Sequence, residues 1–140
     1  SASFTGMRRN SSLNMPQRFQ QFAMQILNNT NMAPQALLRT AQICGQHQRL
    51  DLAEMALARY LERSPGDARA WIDLAALRLM MNRTDQAFAA LTRAVQSGGE
   101  PVRDILRKDR RFDRIRQDQR FKQMVPDIRQ RRINLPLPGM

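Results

Sequence analysis

The 140-residue sequence contains a single cysteine and a single histidine, and these scarcities exclude several classes of function. Because Cys44 stands alone, the chain has no internal disulfide and no metal site built from several cysteines. His47 lies in a polar turn, and no cysteine or carboxylate accompanies it at metal-ligand spacing. The sequence offers neither a glycine-rich phosphate loop nor a nucleophile with a base and an orienting group. We therefore predict no catalytic residue, no metal site and no cofactor.

Long hydrophobic runs are also missing. No segment approaches the ~20 consecutive apolar residues that span a bilayer, and no signal peptide is visible. Valine and isoleucine are outnumbered by alanine, leucine and methionine within the 42% of hydrophobic residues, and this composition favours helices over strands. The length indicates one domain at most.

Basic residues outnumber acidic ones at both ends of the chain, which carries a net charge of +11. Residues 34–100 are close to neutral, with eight basic and seven acidic side chains. Residues 1–33 have three arginines and no acid, and residues 101–140 have twelve basic and five acidic side chains. The predicted core is therefore nearly neutral and its flanks are basic.

Two stretches show the pattern of a helical hairpin. In residues 69–99, Trp71, Leu74 and Ala75 mark one helix, and Ala87 and Leu91 mark a second. The alanines predict a close approach of the two helices, with Trp71 and Leu91 buried to fill the remaining space. Asp67 is placed to cap the first of these helices. Residues 34–63 repeat the arrangement, with Cys44 expected as a small buried residue.

The two hairpins align without a gap when one is laid over the other. Leu37 then falls on Trp71, Ala41 on Ala75, Ala53 on Ala87 and Leu57 on Leu91. Helix–turn–helix content that recurs with a period of about 34 residues is typical of one class of helical repeat.

On these residues, segments 34–67 and 68–101 resemble tetratricopeptide repeats. The second segment follows the family pattern at Trp71, Leu74, Ala75, Ala87 and Leu91, and departs from it at Arg78 and Gly99. The resemblance implies an all-α fold, a right-handed stack of antiparallel helical hairpins with capping helices at its ends. It also implies a protein-interaction or scaffolding module without enzymatic activity.

The ends of the predicted domain, residues 15–126, supply the caps. A helix at 16–28 fits the place of a repeat's second helix one period earlier. At 102–126, a nine-residue echo places DRRFDRI at 109–115 and DQRFKQM at 118–124, so Phe112 and Phe121 are predicted to be buried. This segment resembles the one that closes many bacterial tetratricopeptide arrays. We interpret residues 1–14 as a disordered lead-in and 127–140 as a basic, proline-containing tail.

The resemblance implies that the first helix of each repeat lines a concave groove for a peptide or a partner helix. In the first repeat the groove residues are Gln35, Leu38, Arg39, Gln42 and Gln46. In the second repeat they are Arg69, Ile72, Asp73, Ala76, Leu79 and Met80. Leu38 and Gln42 stand where the carboxylate-clamp version of this groove has Lys and Asn, so we expect no chaperone-tail binding of that kind. Leu79 and Met80 could instead pack against the caps.

Two alternatives stay open. A polyanion, either nucleic acid or an anionic membrane surface, could bind the C-terminal arginines. These are Arg103, Arg107, Arg110, Arg111, Arg114, Arg129, Arg131 and Arg132. Because these arginines alternate with aspartates, the sequence favours a solvent-exposed helix face on which arginine and aspartate form ion pairs within the same helix. In the other alternative, the module associates with itself through the helix at 16–28. We expect a piece from the C-terminal part of a larger bacterial protein that could be membrane-anchored, and the compartment is left open.

Overall fold

The computed structural model describes residues 17, 20–29 and 31–127. Every regular element within these ranges is a helix, which confirms the predicted all-α class. The chain divides into two compact units with the boundary between Ser64 and Pro65, where the first predicted hairpin ends. The predicted lead-in at 1–14 and the tail after residue 127 lie outside the described residues, and the predicted domain limits stay predictions.

In the part of the first unit that the structure describes there are three helices. Helix α1 covers residues 20–28, α2 is Pro34–Gln46 and α3 is Leu50–Arg63. Helix α2 packs along α3, and the Arg59 guanidinium of α3 donates a hydrogen bond to the Leu27 carbonyl oxygen at the end of α1. The four buried side chains of α2 follow a helical period and include the cysteine, as predicted; they are Leu37, Thr40, Ala41 and Cys44.

The second unit begins with a closely packed helical hairpin. Helix α4, Ala68–Met80, packs along α5, Thr84–Gly98. Ala75, Ala87 and Ala94 have no exposed surface, which confirms that small side chains let the two helices come close. Asp67 caps α4 as predicted, because its carboxylate accepts a hydrogen bond from the Ala70 amide at 3.1 Å.

The turns inside the two hairpins share one backbone geometry. Gln48 and Asn82 occupy equivalent positions of the two repeats, and both are in the left-handed region, with φ of 63° and 60°. In each turn the next amide donates to the carbonyl five residues earlier, at 2.9 Å in the first hairpin and 2.8 Å in the second. The repeat period is therefore visible in the backbone as well as in the side chains.

Trp71 is not the buried core residue that the sequence predicts. Its ring is half-buried, its Nε1–H donates to the Pro65 carbonyl oxygen at 2.9 Å, and the Arg93 guanidinium lies 5.0 Å from the ring centroid. The indole N–H needs an acceptor, and the arginine stacks on the π face from the solvent side. Leu91 is fully buried, as predicted.

Between α5 and residue 127, the last described one, the chain forms three short helices. They are α6, Glu100–Lys108, a 3-10 helix, Arg110–Ile115, and α7, Gln119–Met124. A Cβ on Gly98 would collide with Val102, and Gly99 has a φ of 66°, so the chain can enter α6 directly only with glycine at both positions. Phe112 and Phe121 are buried, as their spacing predicts.

Leu91→Ala should lower the free energy of unfolding by about 2–5 kcal/mol, because it opens a cavity beside fully buried alanines that cannot expand. Urea denaturation of both proteins measures the difference. The exposed Gln96→Ala on the same helix is the matched control and should stay within about 0.5 kcal/mol of the parent. A loss below about 1 kcal/mol for Leu91→Ala would contradict the close packing of α4 and α5.

Candidate protein-interaction surface

In the first unit, the predicted groove residues form an exposed stripe along α2. Gln35, Arg39, Gln42 and Gln46 are all exposed, at spacings of four, three and four residues, and Leu38 is half-buried beside them. The opposite face of the helix is buried against the unit. Residues at these spacings lie on one side of an α-helix. The surface therefore consists of three side-chain amides and one guanidinium over a small apolar base.

In the second unit, the corresponding face of α4 is different. The predicted groove residues Ile72, Ala76 and Leu79 are buried inside the protein, so their placement in an open groove is wrong for this structure. Arg69, Asp73 and Met80 are exposed. Composition differs at one of these positions, because the buried Ala76 stands where α2 has the exposed Gln42.

The C-terminal segment approaches α4 on the side of Asp73 and Leu79. The Arg111 guanidinium donates to the Asp73 carboxylate at 3.1 Å. Arg114 donates to the Leu79 carbonyl oxygen at 2.9 Å and to the Asn82 side chain at 3.0 Å. These bonds hold the 3-10 helix beside the C-terminal half of α4. The alternative prediction is that Leu79 and Met80 pack against the caps. Leu79 is buried, as this alternative expects, whereas the Met80 side chain is exposed.

Each copy of the nine-residue echo forms the same set of hydrogen bonds between an aspartate and the arginine two residues later, which we call a clamp. In each copy an aspartate, Asp109 or Asp118, accepts a hydrogen bond from the amide two residues later, at 3.0 Å and 2.8 Å. The guanidinium of the arginine at that later position also donates a hydrogen bond to the same carboxylate. Its remaining NH1 group reaches an aspartate of the hairpin, so that Arg111 binds Asp73 and Arg120 binds Asp85.

The clamps change the acidity of both aspartates. Hydrogen bonding to the Arg111 side chain lowers the pKa of Asp109, and hydrogen bonding to the Arg120 side chain lowers that of Asp118. The pKa of each arginine is raised in return, chiefly by the hydrogen bond to its own aspartate. An Arg–carboxylate pair of this kind is held by several charge-assisted hydrogen bonds at once.

The arginines proposed for polyanion binding are largely engaged by the chain itself. Arg103 and Arg107 of α6 donate to the Met124 and Pro126 carbonyl oxygens, and both also pair with Glu100. Contacts between elements therefore stand beside pairs inside one helix, as the sequence favours, because both arginines pair with Glu100 and Arg107 also pairs with Asp104 within α6. Arg110 is exposed. Arg129, Arg131 and Arg132 lie outside the described residues, so polyanion binding through them stays a prediction.

Sequence reasoning misses the structural role of two carboxylates. It assigns no role to Asp85 and places Asp73 in the groove, whereas both accept hydrogen bonds from the clamp arginines. The Asp-x-Arg spacing of the echo is a signal for the bond inside each clamp. The partner on the hairpin is far away in sequence, and no local pattern marks it.

Within the described ranges, no helix is long and apolar enough to cross a membrane. No group of three or more metal-ligating side chains is found in the same part of the chain. His47 is exposed at the end of α2, and burial raises the pKa of the Cys44 thiol, as expected for an inert buried cysteine.

The geometry defines a helical-hairpin repeat protein. Residues 46–103 match the family model described as tetratricopeptide repeat. The match begins at the last residue of α2 and covers α3, α4, α5 and the start of α6. The match covers less than half of the chain and supports a tetratricopeptide repeat domain over these residues. Repeats of that family generally mediate protein–protein interaction and are non-catalytic. No curated protein and no solved structure matches the chain.

Each clamp should be independent of the other, and carboxyl NMR titration can show this. Because the pKa values of Asp109 and Asp118 are lowered in the folded protein, both clamps are complete at neutral pH. They are lost as the pH falls through values below the ordinary 3.8. Arg111→Ala should raise the pKa of Asp109 toward its ordinary value and leave Asp118 unchanged, and Arg120→Ala should do the reverse. Joint movement of both pKa values in either variant would contradict two separate clamps.

Proposed function

We propose that this chain is a protein-interaction module that binds an extended, acidic peptide segment through the exposed face of α2. The observation that carries the proposal is the contrast between two equivalent helices. On α2 the stripe of Gln35, Arg39, Gln42 and Gln46 is exposed. At the equivalent positions of α4, Ala76 is buried and Asp73 is paired with Arg111, while Arg69 and Met80 are exposed.

The chemistry of the stripe favours a peptide backbone as its ligand. Each glutamine amide offers both donors and an acceptor, which match the alternating C=O and N–H groups of an extended chain. Arg39 is the single charge of the stripe, and its planar fork suits a carboxylate. Leu38 and the partly exposed Ile43 add apolar contact area on the same helix. An extended segment with an Asp or Glu facing Arg39 satisfies all of these groups.

The test begins with peptides selected from a random displayed library against the whole chain, and their affinities are then measured by fluorescence anisotropy. Arg39→Ala combined with Gln42→Ala should raise the Kd at least tenfold, because a charge-assisted hydrogen bond contributes about 1.5–3 kcal/mol. Arg39→Glu should in addition abolish the preference for acidic peptides.

The matched control is Gln86→Ala combined with Gln96→Ala, two exposed glutamines of α5 in the other unit. This variant should bind within twofold of the parent, and circular dichroism should show equal helicity in all variants. If the α2 variants bind the selected peptides as tightly as the parent does, α2 is not the binding surface.

A further inference from the structure

Arg93 of α5 is positioned by an aromatic ring rather than by a carboxylate. Its guanidinium lies 5.0 Å from the centroid of the Trp71 ring. Among the described residues it has neither an ion-pair partner nor a hydrogen-bond acceptor. Arg111, Arg116 and Arg120 of the same unit each form an ion pair with an aspartate. The positive charge of Arg93 is therefore not neutralised within the part of the chain that the structure describes.

The repeat period shows that this arrangement is particular to the second hairpin. Trp71 and Arg93 correspond to Leu37 and Arg59 of the first hairpin. Leu37 is 4% exposed, and Arg59 donates a hydrogen bond to the Leu27 carbonyl oxygen of its own unit. In the second hairpin the same two positions hold a half-buried indole and an exposed guanidinium. Two positions that serve internal contacts in the first unit thus face solvent in the second.

The sequence around Arg93 explains why its guanidinium is open. Ion pairs on a helix form between residues three or four positions apart, and the residues at these spacings from Arg93 are two alanines, a glutamine and a serine. The single acid of α5, Asp85, accepts a hydrogen bond from Arg120 instead. Ala89 and Ser97, one turn before and one turn after Arg93, are exposed and small. A ligand therefore reaches the guanidinium without breaking a hydrogen bond of the described chain.

The ring beneath the guanidinium is itself held in place. The Nε1–H of Trp71 donates to the Pro65 carbonyl oxygen at 2.9 Å. A guanidinium stacked on a ring turns its flat side to the ring and keeps its edge of N–H donors available, and that edge matches the two oxygens of a carboxylate. Because the stacking already restricts the arginine side chain, binding costs less conformational entropy. Tryptophan and arginine are also among the residues that most often dominate the binding energy of protein interfaces.

Charge identifies the chemistry of the ligand. Residues 65–127 have thirteen basic and nine acidic side chains, so this unit attracts anions. A nucleic acid gains its affinity from several phosphate contacts at once, whereas Arg93 has no second cation at helical spacing on α5. One guanidinium on one ring suits a single carboxylate. Tetratricopeptide repeats generally mediate protein–protein interaction, so the carboxylate belongs to a protein.

We infer that Arg93 and Trp71 form a docking site for an acidic segment of a partner protein. The guanidinium donates two hydrogen bonds to the carboxylate of one Asp or Glu, and neighbouring atoms of the segment pack on the exposed part of the indole. The site uses α4 and α5 of the second unit and no residue of the α2 stripe. The inference therefore goes beyond the proposed peptide binding and does not depend on it.

The fluorescence of Trp71 tests the site directly, because this residue is the only tryptophan of the chain. The emission of an indole responds to charge beside its ring, and excitation where tyrosine does not absorb makes the signal local. The whole chain is titrated at constant ionic strength with hexaglutamate blocked at both ends. Hexaglutamate should give a saturable change in emission, whereas blocked hexaglutamine should give none.

Arg93→Gln should raise the Kd for hexaglutamate at least tenfold, because both charge-assisted hydrogen bonds are lost. Arg93→Lys keeps the charge without the planar fork and should raise the Kd at least threefold. The matched control is Arg110→Gln, which removes another exposed arginine of the same unit and should leave the Kd within twofold of the parent. Arg39→Gln on α2 should do the same, so a failure of this site and a failure of the α2 surface are distinguishable.

Several outcomes would overturn the inference. The absence of a saturable signal, or an equal signal from hexaglutamine, would show that no carboxylate binds beside Trp71. Equal losses in Arg93→Gln and Arg110→Gln would assign the binding to the overall charge of the unit. Tighter binding of a short single-stranded oligonucleotide than of hexaglutamate would assign the site to nucleic acid.

Nuclear magnetic resonance provides a second measurement that does not depend on indole emission. The Nε–H resonance of Arg93, identified by its absence in Arg93→Gln, should move during the hexaglutamate titration with the same Kd. The Nε–H resonance of Arg110, identified in the same way, should move by less than half as much. A stationary Arg93 resonance would also overturn the inference.

Discussion

The close approach of two antiparallel helices is the constraint on which the rest of this structure depends. In the second unit, three alanines without exposed surface, Ala75, Ala87 and Ala94, allow α4 and α5 to pack along each other. Each helix alone would leave its apolar face in water, and a close-packed interior makes larger residues at these positions costly. The left-handed turn residues Gln48 and Asn82 then bring the chain back within a few residues.

A second theme is that arginine acts mainly as a structural residue in the part of the C-terminal segment that the structure describes, residues 100–127. The guanidiniums reach carbonyl oxygens at helix ends and carboxylates of the hairpin, and they hold three short helices that have little intrinsic stability. The fixed fork of the guanidinium suits this role, since one side chain can bind its own aspartate and a distant one together. A high positive charge is therefore weak evidence for nucleic-acid binding in this protein.

The two proposed interaction surfaces are both consequences of where the repeat pattern is uneven. Helix α2 keeps an exposed polar stripe, whereas at the equivalent positions α4 has the buried Ala76 and an aspartate, Asp73, that is paired with Arg111. Helix α4 in turn keeps the half-buried Trp71, with Arg93 stacked on its ring, where α2 has the buried Leu37. These differences define two separate faces with different chemistry, one of amides and a single charge, the other of an indole and a guanidinium.

The sequence by itself determined the helices, the repeat period, the Asp67 cap and the burial of Phe112 and Phe121. These features depend on local spacing and on small side chains, which a single chain displays directly. Only the tertiary structure decided that Trp71 lies half-buried under Arg93, that Ile72, Ala76 and Leu79 are not groove residues, and that Asp73 and Asp85 anchor the cap. Helical periodicity marks an apolar face but does not say what covers it, and the partners of a long arginine side chain are set by the folded chain.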